Sequence, residues 1–111
     1  MKIDRREQNG VTILDLGGKI VLGMGAEQLR WAVREEMENG TRNLLLNCAS
    51  VTTVDSSGIG ELVSSYTATQ HRGGHLKLLK PPPKFQDLLH ITQLITIFEV
   101  YDDEKEAVGS F

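Results

Sequence analysis

Val51-Thr52-Thr53-Val54-Asp55-Ser56-Ser57-Gly58-Ile59-Gly60 is the stretch on which the fold turns. Aspartate and serine favour the residue before a helix, where a side-chain oxygen accepts bonds from the first free backbone N–H groups. A helix is expected from about Ser57 to His71. Ile59, Leu62, Val63 and Tyr66 supply its i, i+3, i+4, i+7 stripe, and Gly73-Gly74 its stop. Upstream, Leu44-Leu45-Leu46 is a continuous apolar run suited to a central strand covered on both faces. Ala49 to Val54 reads as the loop between the two.

Working outward, Asn9-Gly10 is a hairpin signal, because a type I′ turn needs positive φ at both central residues. It joins a polar strand near Ile3–Glu7, expected at a sheet edge, to a stronger strand at Val11–Leu16. Gly17-Gly18 is expected to break the latter, with Ile20-Val21-Leu22 a short third strand and Gly23-Met24-Gly25 a loop. Ala26 to Glu38 is a helix with Ala26, Leu29, Ala32, Val33 and Met37 on one face. Trp31 lies about 200° from Leu29 at roughly 100° per residue. It is either a rim residue folded over its neighbours or a partner-contact anchor. Leu76–Leu79 is a strand, Pro81-Pro82-Pro83 feeds a short helix with Phe85, Leu88 and Leu89, and Ile97–Tyr101 is the last strand. Asp102 or Asp103 caps a final helix. A hairpin followed by alternating helices and strands predicts an α/β fold with a mixed sheet.

The chain has 111 residues, 40% of them hydrophobic, and a formal net charge of −3. That is the size of one domain with a core of its own. The acidic balance argues against direct nucleic-acid binding. Cys48, the only cysteine, sits in an apolar run and reads as a buried thiol of a reducing compartment. No apolar run reaches the roughly 18 residues of a membrane span, and the charged start Met1–Glu7 lacks a signal-peptide core. A cytoplasmic protein is expected.

Ser56 is expected to be exposed at the positive end of a helix macrodipole, where a phosphate is tolerated. Taken alone, the segment better suits an unregulated capped helix, since Asp-Ser-Ser-Gly is common at helix starts. Catalysis is not expected: the Gly-x-Ser-x-Gly elbow is missing. His71, His75 and His90 have no spacing that identifies a base or a metal site. Lys77, Lys80 and Lys84 read as solubility charges. No Gly-rich phosphate loop is present, and no cofactor is called for.

In context the segment says more. Leu44-Leu45-Leu46-Asn47-Cys48, then Val51 through Gly60, then Gly73-Gly74-His75-Leu76-Lys77-Leu78, resembles the STAS domain of bacterial anti-sigma factor antagonists. So does the C-terminal pattern Leu88-Leu89, Ile91-Thr92-Gln93-Leu94, Ile97-Phe98-Glu99-Val100-Tyr101. The resemblance implies a single STAS domain over residues 1–111, with four to five strands, an N-terminal hairpin and about four helices. It also implies a partner-switching cycle. The unphosphorylated antagonist binds an anti-sigma factor, often itself an ATP-using serine kinase, and frees the sigma factor. Phosphorylation ends binding, and a metal-dependent serine phosphatase resets the cycle. By residue match the acceptor is Ser56, with Ser57 the neighbouring hydroxyl. The implied partner surface comprises Asp55, Ser56, Ser57, Gly58, Ile59 and Gly60, with Met24 and Trp31. The sequence departs from the family pattern near Val21, where antagonists often carry an acidic residue. The alternative is a STAS partner-binding module of another circuit, a signalling scaffold or a soluble subunit of a lipid transporter.

Overall fold

A computed structural model describes all 111 residues, Met1–Phe111. Five strands form one sheet in the order β1-β2-β3-β4-β5: β1 Lys2–Gln8, β2 Val11–Ile20, β3 Asn43–Val54, β4 His75–Leu79 and β5 Val100–Tyr101. The helices are α1 Ala26–Glu38, α2 Ser56–His71, α3 Pro83–Ile91 and α4 Glu104–Gly109. β1 and β2 are antiparallel and the other pairs are parallel, so the sheet is mixed, as expected. The hairpin turns at Asn9 (φ 52°) and Gly10 (φ 80°), with Gln8 opposite Val11.

The two faces follow from strand alternation. Leu14 and Leu16 of β2, Leu44 and Leu46 of β3, and Leu76 and Leu78 of β4 share a core with Leu29 and Val33 of α1, Leu62 of α2 and Phe85 of α3. Val11, Ile13, Leu45 and Leu79 face the other way, against Ala107 and Val108 of α4. The triple leucine is thus covered on both sides. Cys48 lies fully inside the first core, and burial pushes its thiol pKa up to about 12.

Four expectations are corrected. Gly17-Gly18 does not break β2, which runs on to Ile20; Gly18 (φ 100°) sits inside an irregular stretch of the β2–β3 ladder. No third strand forms at Ile20–Leu22, because Val21 bonds back to Met24 across a tight turn. Ala49 to Val54 is not a loop but the second half of β3. Two register shifts there give β3 one extra residue each, so its apolar residues lose strict alternation. The last strand is only Val100–Tyr101. The N–H groups of Ile97 and Phe98 are instead spent on the Leu94 carbonyl, closing the 3₁₀ turn Leu94–Thr96.

Lys77 is not a solubility charge either. It is 6% exposed on the α4 face of β4. Its Nζ donates to the Ser110 carbonyl (2.9 Å) and Oγ (3.0 Å), lies 3.3 Å from a Glu99 oxygen, and sits 4.7 Å from the Phe111 ring centre. The ammonium therefore ties the C-terminal segment to the sheet. Lys77→Met keeps the buried stem and deletes these bonds, so urea unfolding should show a loss of about 1–3 kcal/mol. An unchanged midpoint would mean that the tie contributes nothing.

Candidate functional site

The site lies where β2 and β3 end together and α2 begins. Asp55 caps α2: its Oδ1 accepts from the Gly58 N–H at 2.9 Å. Its Oδ2 accepts from the Leu22 N–H at 3.1 Å, in the loop between β2 and α1. One carboxylate thus fixes both the helix start and the loop beside it. These backbone donors, Gly58 first, hold the Asp55 pKa below the usual carboxylate value, so it is ionised at neutral pH.

Gly58 is dictated by packing. A Cβ there would lie 2.0 Å from the Ile20 carbonyl oxygen and 3.0 Å from Val54 Cγ1. The same carbonyl accepts the Asp55 N–H at 3.4 Å. Gly60 differs: a Cβ there would meet nothing within 4 Å. The fold requires glycine at 58 and not at 60.

The remaining expected site residues fall in distinct places. Ser56 is the first residue of α2 and is exposed, whereas Ser57 is half-buried. Ile59 is 8% exposed and belongs to the core, so it positions the helix and offers little surface. Met24 (54% exposed) lies in the loop that Asp55 pins. Trp31, on α1, is 66% exposed and is not folded down over its neighbours. Arg30 beside it pairs with the buried Glu61 of α2 at 3.0 Å, which ties the two helices together. The outward stripe of α2, one residue every four, is Ser56, Gly60 and Ser64, all small and exposed. His71, His75 and His90 are exposed on three different elements.

Sequence reasoning missed two features. Leu22 is 74% exposed and bonded through its backbone to Asp55. Its apolar run with Met24, free of any helical or strand period, was the available signal. Ile91, 78% exposed at the end of α3, borders a groove against Val51–Val54. That groove could not be anticipated while these residues read as a loop.

Residues 2–107 match the STAS domain family model. The chain belongs to the STAS domain family. The anti-sigma F factor antagonist of Paenibacillus polymyxa is 24% identical over 109 residues, spanning 97% of this chain and 92% of that protein. A Thermotoga maritima crystal structure, assigned as an anti-sigma factor antagonist, superposes with a TM-score of 0.90 at 24% identity. It covers 97% of this chain and 92% of that one. The phosphorylated form of the Bacillus cell fate determinant SpoIIAA has the same fold, with a TM-score of 0.76 at 19% identity and 98% coverage of both chains. No helix of this STAS protein is long and apolar enough to cross a membrane.

Two predictions follow from the geometry. Gly58→Ala should lower stability by about 2 kcal/mol or more, since backbone must move. Gly60→Ala should raise it by up to about 1 kcal/mol, the helix preference of alanine over glycine. Thermal unfolding of the two variants reads the contrast, and equal effects would contradict it. Asp55 has a folded pKa below its unfolded one, so its stabilisation is present above the unfolded value and lost as pH falls through the folded value. Asp55→Ala should therefore melt below wild type at pH 7, and the gap should close as pH falls below the usual carboxylate range. A gap independent of pH would rule out the charge.

Proposed function

We propose that this STAS protein is an anti-sigma factor antagonist switched by phosphorylation of Ser56. In the unphosphorylated state the surface around Ser56 binds an anti-sigma factor that is also a serine kinase, releasing the sigma factor. The kinase transfers the γ-phosphoryl group of ATP to Ser56 Oγ. ADP leaves, and the hydroxyl proton passes to a base on the kinase. A serine phosphatase hydrolyses the ester and restores the binding state.

The observation that carries this reading is the placement of an exposed Ser56 on the first turn of α2, beside an ionised Asp55. Phosphate at a helix start meets backbone N–H groups and a favourable dipole, so the free protein keeps its fold. In a complex the same group brings a charge of about −1.5 to −2 next to the Asp55 carboxylate. Desolvating both is unfavourable, and a loss of about 1.4 kcal/mol is already tenfold in affinity. The small residues Gly60 and Ser64 let a large partner approach the α2 backbone. Leu22, Met24 and Trp31 offer apolar contact on its flanks. The loop holds Leu22 and Met24 where many antagonists hold an acidic residue, which points to a partner surface that is apolar at this contact.

Ser56→Ala should bind the anti-sigma factor as wild type does and take up no phosphate. Ser56→Asp should bind about tenfold more weakly or worse. Calorimetry with the purified anti-sigma factor, and incubation with labelled ATP, measure the two. Equal affinities of all three proteins, or labelling of Ser56→Ala at Ser57 or Ser64, would overturn the assignment.

A further inference from the structure

Beyond Asn47, β3 has a neighbour on one side only. β4 pairs with Asn43–Asn47 and then leaves the sheet, turned away by Lys80 (φ 51°) and the three prolines that lead into α3. From Cys48 to Val54 the one strand beside β3 is β2, which pairs with Ser50, Val51, Thr53 and Val54. The Asp55 N–H donates to Ile20 in β2, so by strand alternation the N–H and C=O of Val54 point the opposite way. They point toward a groove of about 400 Å³ between β3 and α3. Val51, Val54, Phe85, Leu88 and Ile91 give it an apolar lining, and Lys84 and Asp87 supply one charge of each sign.

We propose that this groove takes an extended polypeptide segment of the anti-sigma partner, added to the free edge of β3 as a further strand. The inference rests on the function proposed above and names the contact that function uses. An unpaired strand edge beside apolar pockets is the arrangement that recognises a peptide, with main-chain bonds for affinity and alternate side chains in the pockets. An aliphatic ligand would cover the Val54 backbone groups and leave them without partners, a cost that a peptide avoids. The edge also runs directly into Asp55 and Ser56. At about 3.3 Å per residue, a strand paired with Val54 ends within about 7 Å of Ser56. A phosphate there stands at the end of the added strand, which links the modification to release of the segment. Lys84 and Asp87 lie one turn apart on α3 and suit a segment carrying an acidic and a basic side chain in sequence.

Amide hydrogen exchange followed by NMR tests this, on the full chain alone and with the purified anti-sigma factor. The Val54 amide should exchange readily in the free protein and slow by about 100-fold or more in the complex. Ile91→Glu, at a residue 78% exposed and therefore tolerated by the fold, should weaken the complex by about tenfold or more. A complex that forms with Ser56 resonances shifted while Val54 exchanges at its free rate would overturn the strand and leave the proposed function standing. Failure of the wild-type chain to form any complex would overturn both. Response of the Leu88 and Ile91 methyl groups to oleate but not to the anti-sigma factor would assign the groove to a lipid and overturn the proposal.

Discussion

The contact on which the rest depends is between the Ile20 carbonyl and the first turn of α2. That oxygen stands 2.0 Å from where a Gly58 side chain would begin, and it accepts the Asp55 N–H as well. The end of β2 is therefore pressed against the start of α2 with no room for a side chain between them. Once this approach is made, Asp55 is close enough to reach Gly58 with one oxygen and Leu22 with the other. The loop, the helix start and the exposed face of Ser56 all follow. Ile59, the next core residue along α2, locks the helix from beneath.

Stability and the proposed recognition surface are separated along α2. The buried side, Ile59, Leu62, Ser65 and Thr69, is continuous with the leucine rows of β2, β3 and β4. The exposed side, Ser56, Gly60 and Ser64, adds nothing to that core. A change of charge at Ser56 is thus felt by whatever lies against the helix and hardly by the fold. The proposed partner switch uses this asymmetry, because the charge changes at the surface while the core beneath is left as it is. Lys77 shows the opposite design on the far face, a charge buried for the sake of the C-terminal segment.

Much of this was legible in the residues because the strongest local signals agree with the tertiary fold. Asn9-Gly10 fixed the hairpin, the spacing of Leu29, Val33 and Met37 fixed α1, and Asp55 announced α2. What failed to read had physical causes. The bulged half of β3 carries Ala49, Ser50, Thr52 and Thr53, whose small, mostly polar side chains face solvent and imitate a loop. Gly17-Gly18 looks like a break because glycine usually is one, yet pairing carries the strand through it: Gly17 lies opposite Lys2 of β1 and Ser50 of β3, and Gly18 opposite Val51 of β3. Lys77 reads as surface because lysine mostly is, and its acceptor on Ser110 is 33 residues away in the chain. The groove beside α3 depended on β4 stopping early, a fact of pairing and not of composition.

The proposed antagonism through Ser56 makes a sharp demand on the protein in its own cell. The most direct measurement is phosphosite mapping of the chain isolated from its host under conditions that activate and silence the switch. A switch at this site predicts a single phosphate, on Ser56, whose occupancy changes between the two conditions. A phosphate on Ser64 or another residue in its place, or an unmodified Ser56 under both conditions, would contradict it.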